Sequence, residues 1–187
     1  TDIGGFYGDQ RDDELYVRWT QAAIFSAHIR LHGIGAREPW SYSAEAEAAV
    51  TQALKLRYQL LPTINQAVTS ASATGLPVQR AMVLACPDER AAWGFEEQFM
   101  LGDSILVAPC LQPGGEVEVY LPTTISNQWR RFPSGDIFAG GCSHKLRLSL
   151  DEIAAFVPAD NTISLGPDRQ FIEDNDKEPP VASLWPQ

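Results

Sequence analysis

Apolar positions in the first third of the chain recur at helical spacing. Leu15, Trp19, Ala22 and Ala23 fall on one face of a helix predicted over residues 12–24. Asp12, Asp13 and Glu14 occupy its first turn, where carboxylates suit the positive end of the helix dipole. Ile24–Leu31 is a short, partly apolar run with the length of a buried strand, and Gly33, Gly35 and Pro39 then mark a loop. Ser43 is placed to cap a second helix that carries Glu45 and Glu47 in its first turn and Val50, Leu54, Tyr58 and Leu61 at near-helical steps. Pro62 ends or kinks that helix. Ile64, Ala67, Val68 and Ala71 continue a helical face, and Gly75 is a C-terminal stop.

Beyond Pro77 the period changes. Short apolar runs at Val78–Leu84, Ser104–Ala108, Val117–Leu121, Trp129–Phe132, Leu146–Leu150 and Ile153–Val157 alternate with turns at Gly114-Gly115, Ser134-Gly135 and Gly140-Gly141. Many short strands separated by such turns predict an antiparallel sandwich. Residues 169–187 are polar and Pro-rich and read as a linker or the start of a further domain. The fold expectation is therefore α/β followed by all-β. Residues 1–76 form the C-terminal end of a (β/α)8 barrel, because a whole barrel needs roughly 250 residues, and residues 77–168 form a β-sandwich.

Charge narrows the function classes. The 187 residues carry 14 Lys+Arg against 24 Asp+Glu, a net charge of -10, which repels a phosphate backbone and argues against a nucleic-acid partner. No window reaches the roughly 18 unbroken apolar residues of a membrane helix. Cys86, Cys110 and Cys142 lack metal-ligand spacing, and a sparse, odd set suits buried thiols in a reducing, cytoplasmic setting. No metal or cofactor is expected. Thr1 is neither Met nor the start of a leader-like run, so the chain reads as a fragment or processed product.

The motifs carry more information than the composition. Asp2-Ile3-Gly4-Gly5-Phe6, followed by Glu14-Leu15-Tyr16-Val17-Arg18-Trp19, resembles the segment after barrel strand seven of glycoside hydrolase family 31, the α-glucosidases and α-xylosidases. Ser26-Ala27-His28-Ile29-Arg30-Leu31-His32-Gly33 resembles its strand-eight segment. Arg37-Glu38-Pro39-Trp40 and Leu56-Arg57-Tyr58-Gln59-Leu60-Leu61-Pro62 are similar to the loop and helix that follow. Gln98-Phe99-Met100-Leu101-Gly102-Asp103 and Leu106-Val107-Ala108-Pro109 resemble the start of the family's sandwich, and Leu165-Gly166-Pro167 its end. The resemblance covers about residues 1–167, with the motifs in the family's order. The chain departs from the family at Pro62-Thr63, at Gln128-Trp129-Arg130-Arg131 and at Val157-Pro158-Ala159-Asp160, all local features.

The resemblance implies a retaining, exo-acting α-glycosidase acting on an α-linked oligosaccharide or glycoside. Retention needs two carboxyl groups about 5–5.5 Å apart. In the family both follow earlier barrel strands, so they are expected upstream of Thr1. This chain would supply no catalytic residue, would be inactive alone, and would associate with the upstream part of the enzyme. The acidic cluster Asp9, Asp12, Asp13 and Glu14 reads as a solvated loop and a helix start.

Four residues are candidates for sugar binding under the resemblance. Asp2 would stand at the C-terminal end of a barrel strand and accept sugar hydroxyls; the alternative is an Asx turn beside Gly4-Gly5. His32 would end the next strand and hold a ring hydroxyl, or be structural. Arg30 shares its face and reads as a buried partner that orients nearby carboxylates. Phe6, with Tyr7 beside it, would wall the pocket or pack in the core. Trp40 would wall the pocket too, or pack in the core, the reading preferred for it; Trp129 and Phe132 read as core or domain-interface residues. His28 and His32 make a poor zinc set without a further ligand. The competing class is a carbohydrate-binding or scaffold module without catalysis.

Overall fold

Local capping sets the helices. The computed structural model describes residues 1–8, 11–172 and 182–184. Helix α1 spans Asp13–Ala23 and begins where the Asp12 carboxylate accepts the Leu15 N–H at 2.9 Å. Helix α2 spans Ala44–Gln59, capped by the Ser43 hydroxyl on the Ala46 N–H at 3.2 Å. The chain breaks at Leu60 and resumes as α3, Leu61–Thr74, with Pro62 in its first turn, where a missing N–H costs nothing. Gly75 closes α3 in the left-handed conformation, φ 77°.

Two expectations for this half are corrected. The apolar face of α1 is not the one the period suggested: Tyr16, Val17, Thr20 and Ala23 are buried, whereas Leu15 is 57% exposed. Tyr16, Val17 and Ala23 pack with Ile3 and with Ala46, Ala49 and Val50 of α2, and this neighbour fixes which face turns inward. Nor is Ile24–Leu31 a strand. Ile24 and Phe25 are fully buried, but the buried Arg57 guanidinium donates to the carbonyls of Ile24 (2.6 Å), Ser26 and Ala27 (3.1 Å). Those carbonyls are thereby occupied without a ladder, and only Arg30 makes a parallel bridge, to Asp2.

The second half is built from short antiparallel strands. They are β1 (Gln79–Ala81), β2 (Phe99–Leu101), β3 (Ile105–Val107), β4 (Glu116–Leu121), β5 (Gln128–Phe132), β6 (Ile137–Ala139), β7 (Cys142–Arg147), β8 (Ala155–Pro158), β9 (Ile163–Leu165) and β10 (Ala182–Leu184). Short helices α4 (Met82–Ala85) and α5 (Arg90–Trp93) follow β1, so only the start of the run Val78–Leu84 is strand. The run expected at Leu146–Leu150 lies mostly past β7, which begins earlier to pair with the whole of β4. A six-stranded sheet runs β1-β2-β3-β8-β5-β6, with β4–β7 and β9–β10 as separate pairs. Of residues 169–187, segments 173–181 and 185–187 lie outside the described residues, as does Asp9.

Both faces of the large sheet are covered, so its central strand β8 is buried at every position. Phe156 faces the β4–β7 pair, in a core with Trp129, Met100, Leu106, Val119 and Leu121. Ala155 and Val157 face the other way, with Phe132, Ile105 and Val107, onto Ile24, Phe25, Ala53, Leu60 and Ile64. Trp129 thus lies in the sandwich core and Phe132 at the seam between sandwich and helices. Helix α1 docks on the sandwich through buried Arg18, which donates to the carbonyls of Ser149 (2.9 Å), Leu148 (3.1 Å) and Glu152 (3.2 Å), and through Gln21 on the Leu150 carbonyl (2.6 Å). Among the described residues no helix is long and apolar enough to cross a membrane.

Candidate functional site

The segments 1–8 and 26–37 meet at the parallel bridge between Asp2 and Arg30. The Ile3 N–H donates to the Arg30 carbonyl (2.9 Å) and the Arg30 N–H to the Thr1 carbonyl (3.2 Å). The Phe6 carbonyl then accepts the Ile34 N–H at 2.8 Å. Asp2, Phe6, Arg30 and His32 are brought together by this pairing.

Within the corner, the Arg30 guanidinium grips the Asp2 carboxylate with both arms, Nε on one oxygen and Nη2 on the other at 3.2 Å. Hydrogen bonding from Arg30, opposed by some desolvation, holds the Asp2 carboxyl below its ordinary value, and the nearby His32 adds to the lowering. Asp2 is therefore an ionised acceptor and a poor proton donor. The Gly5 N–H donates to the Asp2 backbone carbonyl (3.0 Å), closing a tight turn beside the ion pair. Arg30 is not the buried partner expected: it pairs with the Asp2 carboxylate, but its side chain is 54% exposed.

Phe6 and His32 form the apolar side of the corner, their rings 5.4 Å apart and tilted by 50°. Phe6 is half-buried and His32 exposed, and Tyr7 meets Phe6 edge-on at 4.8 Å while remaining largely in solvent. The corner thus offers an ionised oxygen pair, an imidazole and an aromatic face. That set suits a polyhydroxylated ligand with both hydroxyls and C–H faces.

Several expectations fail nearby. Trp40 is not core: it is 71% exposed, because its neighbour Pro39 takes the buried position in the one-turn helix Pro39–Ser41. Its ring lines an open groove with Leu31, Leu54 and Tyr58. Of the thiols, Cys86 and Cys110 are buried, and burial pushes Cys86 up to about 11, but Cys142 is exposed, with Sγ 3.4 Å from His144 Nε2. It begins β7 opposite Leu121, on the same face as His144 and Leu146 but at the end of the strand. No group of three or more His, Cys, Asp or Glu placed to hold a metal occurs among the described residues.

Arg37, quoted only as part of a motif and not as a site candidate, lies behind the corner. It is 4% exposed, and its Nε donates to the Gly5 carbonyl (2.8 Å), Nη2 to Gly8 (2.7 Å) and Nη1 to Ala36 (3.0 Å). Its own carbonyl accepts the Tyr16 hydroxyl at 2.6 Å. In the sequence Arg37 belongs to the motif Arg37-Glu38-Pro39-Trp40 and stands among Gly33, Gly35, Ala36 and Pro39, small or rigid residues that let a guanidinium reach backbone.

The fold is the end of a barrel joined to an antiparallel sandwich. The glycosyl hydrolases family 31 TIM-barrel domain matches residues 1–67, and the family's C-terminal domain matches residues 75–163. The chain belongs to glycosyl hydrolase family 31.

A rice protein described as a probable glucan 1,3-alpha-glucosidase is 38% identical over 83% of this chain and 17% of its own length. An alpha-xylosidase of Saccharolobus solfataricus is 34% identical over 84% of this chain and 22% of its own. Among solved structures, a dextranase of this family from Flavobacterium johnsoniae, complexed with glucose, superposes with a TM-score of 0.86 and 33% identity, covering 95% of this chain and 22% of that one. The chain spans about a fifth of the length of these relatives.

Proposed function

We propose that this chain supplies the sugar-binding corner and sandwich of a retaining, exo-acting α-glycosidase that hydrolyses α-glucosidic or α-xylosidic bonds. In this reading residues 1–76 belong to the catalytic barrel, 77–168 to the sandwich, and 169–187 to a linker or further domain. The observation that carries it is the Asp2–Arg30 pair standing beside Phe6 and His32. A carboxylate has about four lone-pair sites; Arg30 takes two and leaves the rest for hydroxyls of a sugar whose C–H face lies against Phe6. The relatives' names support the substrate class, an α-linked glycoside.

The two catalytic carboxyl groups are assigned to parts of the enzyme outside this chain. Asp2, ion-paired and ionised, is suited to hold a hydroxyl but not to protonate a leaving group. The buried free thiols Cys86 and Cys110 favour a reducing, cytoplasmic setting.

Steady-state kinetics of the whole enzyme on aryl α-glucosides and α-xylosides test the assignment. Asp2→Ala and His32→Ala each lower kcat/KM roughly ten- to a hundredfold, since charge-assisted bonds to a sugar tighten in the oxocarbenium-like state. Phe132→Leu, at the seam, lowers stability and leaves the kinetics of folded enzyme near wild type. Near-normal kinetics for both site variants would remove the corner from the sugar subsite. The 187-residue chain alone should show no turnover above background.

A further inference from the structure

The corner owes its shape to a side chain that lies behind it. Phe6 sits in a turn whose backbone, among the described residues, has no strand to bind to beyond the bridge at Asp2. Gly4 and Gly5 both adopt positive φ, 84° and 81°, which a coil reaches only among many alternatives. Past the Gly5–Asp2 hydrogen bond the turn is held at two points. One is the Ile34 N–H on the Phe6 carbonyl; the other is Arg37, which binds the carbonyls of Gly5 and Gly8 on either side of Phe6.

We propose that Arg37 is a positioning residue for the sugar-binding corner, fixing the Phe6 ring against His32 by clamping the backbone before and after Phe6. The inference rests on the reading of the corner as a sugar subsite. Arg37 is itself held rigidly. Its backbone N–H donates to its neighbour Glu38 (3.1 Å), and its carbonyl accepts the hydroxyl of Tyr16, whose ring stacks on Tyr42 at 3.8 Å. The fit leaves no slack. A Cβ on Gly4 would lie 2.9 Å from Arg37 Cδ, and one on Gly33 would lie 2.8 Å from the Gly5 carbonyl oxygen and 3.1 Å from Arg37 Nε. The two glycines let the turn and the 33–37 loop close on the guanidinium.

A positioning residue has a kinetic signature distinct from that of a contact residue. Without the clamp the turn samples other conformations, and apparent affinity falls by the fraction that remains competent. Saturating substrate selects the competent form and restores the rate. Arg37→Met in the whole enzyme is therefore expected to raise KM roughly tenfold with kcat within about twofold of wild type. Asp2→Ala and His32→Ala lower kcat as well.

Arg37→Lys, which reaches fewer carbonyls, falls between Met and wild type, and Arg37→Gln serves where Met does not fold. Amide hydrogen exchange gives a readout independent of activity: the Ile34 N–H loses protection in Arg37→Met while the amides of α2 keep theirs. Unchanged KM together with unchanged Ile34 protection overturns the proposal. So does a fall in kcat matching that of Asp2→Ala, which would make Arg37 a ligand contact. If instead Asp2→Ala and His32→Ala prove kinetically silent, the subsite reading fails, and the Ile34 exchange result alone decides whether Arg37 clamps the turn.

Discussion

The helical half and the sandwich solve the same problem differently. Every buried backbone carbonyl needs a donor. In the sandwich the ladders provide most of them: β4 pairs with β7 from Glu116↔Arg147 to Leu121↔Cys142, and β8 is flanked by β3 and β5. In the first 76 residues the loops that carry the candidate site have almost no ladder. There, buried arginines supply the donors. Arg57 binds the loop at Ile24–Ala27 and Arg37 the turn at Gly5–Gly8; Arg18 of α1 reaches across to a sandwich loop at Leu148–Glu152 that lies past its ladder. A guanidinium has five N–H groups in a fixed fork, enough to hold several carbonyls at once. Burial disfavours the charge, and pulls the Arg57 pKa down, yet these side chains stay in place because the carbonyls they satisfy would otherwise be orphaned. A loop built this way keeps an irregular, site-bearing shape that a ladder would flatten.

The comparison is tested most severely in the sandwich core. Trp129→Ala removes a fully buried ring between β5 and the β4–β7 pair, and should cost about 3–5 kcal/mol, read from the urea midpoint at constant m. A loss near zero would mean that ladders alone hold this half.

Arg57→Met is the counterpart in the helical half. It leaves the carbonyls of Ile24, Ser26 and Ala27 without their donor and should cost about 2–3 kcal/mol, while exposed Lys55→Met stays within about 0.5 kcal/mol. Equal, small effects for the two would refute the role given to buried guanidinium groups.

The sandwich also holds backbone with a carboxylate, and pH resolves that clamp. The Glu89 carboxylate accepts from the Tyr120 hydroxyl (2.7 Å) and from the backbone N–H groups of Thr123 (3.1 Å) and Thr124 (2.8 Å). Burial alone would raise its pKa, but these bonds together outweigh it and bring it below the ordinary value. A depressed folded pKa means the clamp is fully formed above the unfolded value of about 4.3 and is lost as pH falls through the folded one. Wild type should therefore lose more stability than Glu89→Gln between neutral pH and about pH 3. Parallel melting curves for the two proteins across that range would show the clamp to be ineffective.

The smallest effect belongs to a device that depends on neither ladder nor arginine. Ser43→Ala removes the cap of α2 and should cost about 1 kcal/mol by thermal melting, with no change in KM.

What the sequence legibly determined was what acts over a few residues. Asp12, Ser43 and Gly75 mark helix ends within about a residue, because a cap binds an amide only two or three positions away. The runs at Ser104–Ala108, Val117–Leu121 and Trp129–Phe132 coincide with β3, β4 and β5 because alternation or continuous burial is written along the strand itself. Asp2, Phe6, Arg30 and His32 were marked as one set by motif order, and the backbone bridge brings them together.

The tertiary structure alone decided the rest. Which face of α1 turns inward depends on α2 and the sandwich, so Leu15 lies outside and Arg18 inside. Ile24–Leu31 has a strand's composition but no strand's partners, since Arg57, some thirty residues away, takes its carbonyls. Arg37 reads as an ordinary charge until the Gly5 and Gly8 carbonyls fold against it. A guanidinium's role is fixed by whichever carbonyls the completed fold leaves unpaired, and those are known only once distant segments have met.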